Sequence, residues 1–405
     1  MEPQLNYPSA YREQPDLGRK IYGRSRLFGI GCFGIIGLIL LLVFIAVVGY
    51  FYVYPKLTPN KLQGDFLNVT LVPGTNDTAH LWILTDGSFN FIQSTKSPGH
   101  YSVGRKCYFC KTWTYIYEPV SKKIIKKFKT DFEDIIIRPD IFYAAGKVWV
   151  IIRPYNENPA AISVYNPETG ELVLDIKGFV NKHKEFSSGI TEVNVFNEPE
   201  RHLRLDTRNG QNDLVYAIDE DRVYPSYSEY NKAFEEKNKQ ETTVFALGKE
   251  SSSSSRMQLF LVTGPMFKIT KGSSIENYID NPSTLKFFTN STAEKLVPDK
   301  TFIEGMIIYS DENACVILHQ EVADKDSDRM LTCVETGGRI RWTVTQSDLF
   351  DKTRVNKDDP FSSLFFMKDK FGGMAANNLF VFKQEETGVI GFDFQTGKKL
   401  WELEF

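Results

Sequence analysis

The chain has 405 residues, room for one large domain or two to three ordinary ones, and its 42% apolar and 24% charged content excludes a disordered or collagen-like polypeptide. A net charge of −3, with no domain-wide basic excess, argues against nucleic acid as a partner. Phe, Tyr, Ile and Val dominate the apolar set, a bias toward strands that fit a pleated, half-buried surface.

The opening residues 1–26, rich in Pro, Tyr, Gln and charge, have little to bury and read as a disordered tail. Leu27 to Tyr54 follows with no charge over 28 residues, the length of a tilted transmembrane helix and too long for the apolar region of a cleaved signal peptide. Its YFYVY end suits the headgroup interface. Cys32 does not make this a lipoprotein signal, because most of the apolar run follows the cysteine instead of preceding it. Arg12, Arg19, Lys20, Arg24 and Arg26 precede the segment and only Lys56 and Lys61 follow closely, so the amino end is expected in the cytoplasm. A single-pass anchor over 27–54, a linker over 55–64 and a periplasmic, luminal or extracellular domain over 65–405 are therefore expected.

Past the anchor, strand–turn–strand signals recur. They begin with LWILTDGSFNFI near Trp82 and with KCYFCKTWTYIYEPVSKKIIKKF, whose lysine run at 121–129 reads as solvated edge protection or as an attractor of anionic lipid or polysaccharide. GKVWVIIRP with AISVYNPETGELVLDI comes next, then RHLRLDTRNGQNDLVYAIDEDRVYP and TTVFALGKESSSSSRMQLFLVTG. NACVILHQEVADKDSDRMLTCVETGGRIRWTV and NNLFVFKQEETGVIGFDFQTGKKLWELEF complete the set. Helical periodicity appears only in Tyr227 to Glu241, expected as a short exposed helix or an insertion. Units of this kind at roughly fifty-residue spacing indicate a repeat architecture, and small antiparallel sheets repeated radially make a propeller. The fold class expected is an all-β, β-propeller domain of seven blades, with eight as the alternative, behind one transmembrane helix. The turns at Thr169-Gly170, Thr336-Gly337 and Thr396-Gly397 are expected to close hairpins, Gly supplying positive φ and Thr with the preceding polar residue capping turn amides. Trp342 and Trp401 would pack between neighbouring sheets.

The segments VYNPETGELVLDI, TCVETGGRIRWTV and GFDFQTGKKLWELEF resemble the pyrroloquinoline-quinone-type propeller repeat, in which an acidic residue and TG are followed by Trp. Val173 or Leu174 stands where the first of these units would carry Trp. The resemblance implies a fold and says little about activity. Quinone-dependent dehydrogenases of this kind carry adjacent cysteines and a calcium site on a longer chain, and no Cys-Cys pair exists here. Other propellers of the type bind protein partners through exposed loops. A tethered protein-interaction scaffold without catalysis or cofactor is the reading taken, with 196–211, 227–241, 251–255 and 271–282 as its binding rim; the alternative is a quinone- or calcium-dependent oxidoreductase or glycan-active enzyme.

One stretch has two readings. Asp324, Asp326, Asp328 and Glu335 fall at positions 1, 3, 5 and 12 of a calcium loop, but Arg329 replaces its Gly and strand signals flank it. The same letters make a hairpin whose acidic tip is a solvated turn or a weak calcium site between strands. In that hairpin Cys315 and Cys333 are equidistant from Asp324, so they would face each other for a disulfide unless the register slips by one residue. Cys107 and Cys110 form a lone CxxC without further zinc ligands or a thioredoxin-like context, so a local disulfide or two buried thiols is expected. His80, His100, His183, His202 and His319 are scattered with no HExxH or GxSxG and read as packing residues. Sequons stand at Asn68, Asn76 and Asn290.

Overall fold

The computed structural model describes residues 37–46, 62–74, 78–87, 89–97, 100–109, 112–130, 139–153, 160–197, 200–238, 241–249, 255–265, 292–324, 327–353 and 370–405. The chain divides into two units, residues 1–61 and 62–405. Of the first, residues 37–46 form a helix in which every residue is exposed, Leu40 and Phe44 by about two thirds (65% and 64%). No described helix is long and apolar enough to cross a membrane, and the rest of the 27–54 segment lies outside the described residues.

The second unit is built of antiparallel sheets. The first sheet orders β1 (Asp65–Pro73), β2 (Ala79–Asp86), β5 (Thr112–Glu118) and β6 (Lys123–Thr130), while β3 (Phe89–Ser97) and β4 (His100–Phe109) form a separate two-stranded hairpin inserted between β2 and β5. The second sheet holds β7 (Asp140–Ala144), β8 (Lys147–Ile152), β9 (Ala161–Tyr165) and β10 (Leu172–Asp175). It is followed by helix α1 (Ile176–Lys182), capped where Gly178 N donates to Asp175 Oδ1 at 2.7 Å. The third sheet contains β11 (Ile190–Phe196), β12 (His202–Thr207), β13 (Leu214–Ala217) and β14 (Arg222–Tyr224), and leads into helix α2 (Tyr227–Lys237).

The fourth sheet has two halves. β15 (Glu241–Lys249), β16 (Arg256–Pro265) and β17 (Thr292–Lys295) make one; β18 (Phe302–Ser310), β19 (Ala314–Gln320), β20 (Arg329–Glu335) and β21 (Ile340–Val344) make the other. Only the pairs Arg256↔Ile303 and Met257↔Phe302 join them in register. Beyond that short seam Phe245, Leu247 and Leu259 lie face to face with Phe302, Cys315 and Ile317, so the halves behave as two packed sheets. The fifth sheet is β22 (Phe371–Ala376), β23 (Leu379–Gln384), β24 (Gly388–Asp393) and β25 (Lys399–Glu404).

Burial along each strand explains this layout. Central strands are apolar on both faces, as in ACVILHQ of β19, every residue of which is buried. Last strands are amphipathic: LVLD of β10 and TAEK of β17 bury nothing fully. A single sheet of this kind cannot dry both faces, so each stacks on its neighbours. Trp82, Leu84 and Ile116 of the first sheet pack on Val148, Val150 and Tyr165 of the second. Phe142, Trp149 and Ile162 of the second pack on Val193, Leu203 and Tyr216 of the third. Val316, Cys333 and Trp342 of the fourth meet Phe380, Ile390 and Phe392 of the fifth. The fifth returns to the first, with Val381, Val389 and Trp401 against Val69, Leu81 and Tyr115, and Phe405 stacked on Phe66 at 5.0 Å. First strands lie side by side, β1 next to β7 and β22, β22 next to β18, and β18 next to β15.

Six blade-sized groups thus stand among the described residues, where seven or eight were expected. The difference has one source: LWILTDGSFNFI and KCYFCKTWTYIYEP were counted as two units, yet β2 pairs directly with β5, which fuses them into the first sheet and leaves β3–β4 as its insertion.

Two of the three TG turns have the expected chemistry. Asn166 Oδ1 accepts from Glu168 N (2.9 Å) and Thr169 N (3.0 Å), and Asp393 Oδ1 accepts from Gln395 N (3.1 Å) and Thr396 N (2.7 Å). Gly170 (φ +64°) and Gly397 (φ +71°) supply the left-handed residue. The third turn is one residue shorter. Its left-handed glycine is Gly338 (φ +77°), not Gly337, Thr336 N donates to Asn313 O at 3.0 Å, and the Glu335 carboxylate is taken by Arg339 and Arg341 instead of by turn amides. These arginines, Arg339 first, hold Glu335 down to about 2.

The turns also join sheets. Trp342 Nε1 donates to Phe394 O at 2.8 Å with its indole against Gly397, and Trp82 Nε1 donates to the matching carbonyl of the first turn, Pro167 O, at 2.9 Å. Trp401 is different: its indole lies over Gly391 in the core between the fifth and first sheets, and its Nε1 has no hydrogen-bond partner.

Candidate functional site

The third sheet has one unusual face. Its inward residues Val193, Leu203, Leu205 and Tyr216 meet the second sheet. The alternating positions carry Glu192, Asn194 and Phe196 on β11, directly across from Asp206, Arg204 and His202 on β12. No core cluster among the described residues joins this face to another sheet; Val215, Ala217 and Tyr224 on it are covered by α2 instead, through Tyr227 and Tyr230. Helix α2 starts at Ser226, whose Oγ accepts from Glu229 N at 3.2 Å, and buries Tyr230 and Phe234, one turn apart.

Where α2 stops covering the face, a cleft of about 250 Å³ opens between Glu192, Asn194 and Phe196 on one side and Arg204, Asp206 and Asp213 on the other. The Arg204 guanidinium is held flat by two rings, 4.2 Å from the centre of Phe196 and 3.6 Å from that of Tyr227, and it reaches Asp213 at 3.8 Å. Asp213 takes a left-handed backbone (φ +63°) and donates its N–H to Asp206 Oδ1 at 2.7 Å. His202 stacks on Phe196 and Tyr227 at 5.5 and 5.8 Å, its Nδ1 lies 2.8 Å from Glu200 O, and burial lowers its pKa. Chemically the cleft is a polar recess with three carboxylates against one arginine whose faces are occupied. It presents acceptors to hydrogen-bond donors and contains no nucleophile paired with a base.

This site was missed in the sequence because 196–211 reads as a loop. In fact β12 runs through its middle. The available signal was the alternation of TEVNVF and HLRLD, which places Glu192, Asn194, His202 and Arg204 on one face of adjacent strands.

The structure brings none of the sequence-flagged residues to this cleft except His202 at its border. The acidic stretch is a hairpin: β19 and β20 pair from Ala314↔Glu335 to Gln320↔Arg329, and strands stand where a calcium-loop motif needs helices. Asp324 and Asp328 flank its tip, and Asp326 lies outside the described residues. No group of three or more His, Cys, Asp or Glu among the described residues is placed to hold a metal.

The Cys315–Cys333 disulfide is corrected by the register. Cys315 pairs with Val334 and Val316 with Cys333, so the two thiols point to opposite faces, Cys315 toward β15–β16 and Cys333 toward the fifth sheet. Both are free and buried, and burial pushes the Cys333 thiol up to about 12. Cys107 falls on β4 and Cys110 lies outside the described residues.

His183 packs on Phe179, Phe186 and Tyr216, with Nε2 3.3 Å from Asp221 Oδ1, while Lys182 and Tyr216 also reach that carboxylate. His319 is buried between Gln320 O and Thr332 Oγ1, each at 2.8 Å. Of the sequons, Asn68 is consumed by structure: Nδ2 donates to Pro139 O at 2.9 Å and Oδ1 accepts from Lys383 Nζ at 2.7 Å. Asn76 and Asn290 lie outside the described residues.

No family model and no curated sequence matches the chain. Among solved structures it is similar to the computationally designed Ika8 protein, at 11% identity over 84% of this chain and 87% of that one, TM-score 0.24. It is also similar to Sqt1 from Saccharomyces cerevisiae (10% identity, 84% and 85% covered, TM-score 0.20) and to BamB from Moraxella catarrhalis (10%, 79% and 78%, TM-score 0.17). Scores this low carry no argument, and the propeller-like reading rests on the antiparallel sheets themselves and the order in which they stack.

Proposed function

We propose that the chain is a membrane-anchored, extracytoplasmic β-propeller that acts as a protein-interaction scaffold and catalyses nothing. In this reading the segment 27–54 spans the bilayer, and the ring closes where the fifth sheet meets the first. The cleft on the third sheet receives a side chain of the partner. One observation carries the proposal: the face on which the repeat calls for an apolar sheet-to-sheet core bears Glu192, Asn194, Arg204 and Asp206 instead. A repeat array forgoes dry packing at a cost in stability, and such a local breach of its own pattern is characteristic of a functional surface.

The test is site-specific photocrosslinking of the full chain in native membranes. A photoreactive side chain at Asn212, in the cleft, should give a defined adduct that disappears when Glu192 and Asp206 are changed to Lys. The same probe at Glu168, on an exposed turn of the second sheet, should not give that adduct. Equal adducts from both sites, or adducts indifferent to the charge reversal, would sink the assignment of the cleft.

A further inference from the structure

We infer that Lys300, on the turn that enters the second half of the fourth sheet, is a site of covalent modification by small aldehydes. The turn fixes the residue in place. Leu296 is buried and its N–H donates to Leu259 O at 2.9 Å, Val297 takes a left-handed backbone (φ +48°), and Lys300 N closes the turn on Val297 O at 3.1 Å. A β-branched residue keeps that conformation only where its surroundings impose it. Lys300 itself is part exposed, and its amine lies beside Thr332 of β20 and Phe302 of β18.

An ammonium group carries three donors and a full charge to be satisfied. Here it finds the Thr332 oxygen at 3.4 Å and the Phe302 ring at 5.4 Å, near the limit of a cation–π contact. Among the described residues no carboxylate pairs with it. Asp299 in the same turn makes no ion pair with it, Glu304 on β18 accepts from Gln320 Nε2 at 3.0 Å, and Glu335 on β20 is taken by Arg339 and Arg341. Burial, with no neighbouring charge to offset it, lowers the Lys300 pKa and so raises the share of free amine near neutrality.

The hydroxyls around it leave the lone pair of that amine free. Gln320 O can only accept, so His319 carries its proton on Nδ1, 2.8 Å away, and its Nε2 accepts from the Thr332 hydroxyl at 2.8 Å. With its proton committed, Thr332 Oγ1 accepts from Lys300 Nζ and from Thr343 Oγ1 at 3.3 Å, and it offers the amine no competing donor. A desolvated lysine of this kind is a nucleophile toward carbonyl carbon. The lone pair adds to the aldehyde carbon, a proton passes from nitrogen to oxygen, and loss of water leaves an imine. The product is neutral, so the site exchanges a poorly satisfied ammonium for a group that needs no counterion.

The experiment treats the full chain with formaldehyde and cyanoborohydride over a pH series and reads methylation at each lysine by mass spectrometry. Cyanoborohydride delivers hydride to the imine carbon while a solvent proton goes to nitrogen, which traps the adduct as a methylamine. At about pH 7 Lys300 should react at least about threefold faster than the exposed Lys177 and Lys184, and the difference should vanish by about pH 11, where every amine is free. Thr343→Glu, an exposed change on β21, brings a carboxylate to the amine and should abolish the difference at about pH 7. Equal or slower labelling of Lys300 in the unaltered chain at that pH overturns the proposal, whatever the variant does. A preference that survives in denaturant overturns it too, since the sequence alone would then explain it, and so does a preference that a folded Thr343→Glu chain retains.

Discussion

Gly397 lets the stacking of the fourth sheet on the fifth be measured. A Cβ placed there would stand 2.7 Å from Trp342 Cγ and 2.8 Å from Cδ2, and the indole is fixed by its 2.8 Å bond to Phe394 O. Gly397→Ala therefore combines left-handed backbone strain, about 1–2 kcal/mol, with overpacking against a pinned ring, about 1–3 kcal/mol, for a total of about 2 to 5 kcal/mol. Gly146 isolates the first part, because it has nearly the same φ (+70° against +71°) and nothing within 4 Å of its would-be Cβ. Gly146→Ala should cost about 1–2 kcal/mol. An unfolding entropy of about 2.1 cal/mol/K per residue over the second unit gives about 0.7 kcal/mol/K, so each kcal/mol moves the midpoint by about 1.4 °C. Thermal unfolding followed by tryptophan fluorescence should then show a fall of about 3–7 °C for Gly397→Ala and about 1–3 °C for Gly146→Ala. In a Trp342→Ala background the two glycine changes should become equivalent. Equal shifts in the native background would show that the turn does not meet the neighbouring sheet as described.

Three further outcomes are expected. Burial holds His319 down to about 4 from its ordinary value of 6.5, so between those limits the unfolded chain binds a proton that the folded chain refuses. Stability should therefore fall as pH drops from about 6.5 to about 4, by about 3 kcal/mol in all, and His319→Gln should flatten that slope in a pH series of melting curves; an unchanged slope refutes the assignment. Asn68→Ala removes contacts to Pro139 and Lys383 and should cost about 1–3 kcal/mol, while glycopeptide mass spectrometry should find Asn68 unmodified in the folded protein. Cys315 and Cys333 should resist alkylation until denaturant is added, with a reductant leaving the melting midpoint unmoved; a mass deficit of two hydrogens for a Cys315–Cys333 peptide pair would contradict the register.

The legible part of the fold was whatever depends on neighbours in sequence. The hairpin through Asp324, the turn at Asn166 and the turn at Asp393 are set by local chemistry, and each forms where its letters stand. The helix from Tyr227 was legible for the same reason, although its purpose was not: Tyr230 and Phe234 are buried because a sheet face lies beneath them, which no local pattern reveals. Errors arose where one residue changes a count. One turn is a residue shorter than the other two and takes Gly338 instead of Gly337 as its left-handed residue, and a one-residue register separated two cysteines that symmetry had brought together. The fusion of β2 with β5 was invisible because pairing across a 25-residue insertion leaves no periodic mark. The cleft was hidden for a related reason, since its two strands look polar and loop-like until they are laid side by side.

The third sheet also determines what the repeat can tolerate. In a stacked array each sheet is stabilised by its two interfaces, so the cost of leaving one face wet must be met by something local. Here α2 meets it in part, burying Tyr230 and Phe234, with Lys237 paired to Glu220 at 3.1 Å and Tyr224 OH donating to the same carboxylate at 2.6 Å. The remaining edge is stiffened by aromatic stacking around Arg204 and His202 instead of by a neighbouring sheet. A surface made in this way is rigid without being dry. On the scaffold reading proposed above, that combination would present Glu192, Asn194 and Asp206 to a partner with little ordering left to oppose binding. Loosening α2, for example through Tyr230→Ala, should therefore weaken partner capture at the cleft more than it lowers the melting temperature of the first, second and fifth sheets, whose cores lie elsewhere.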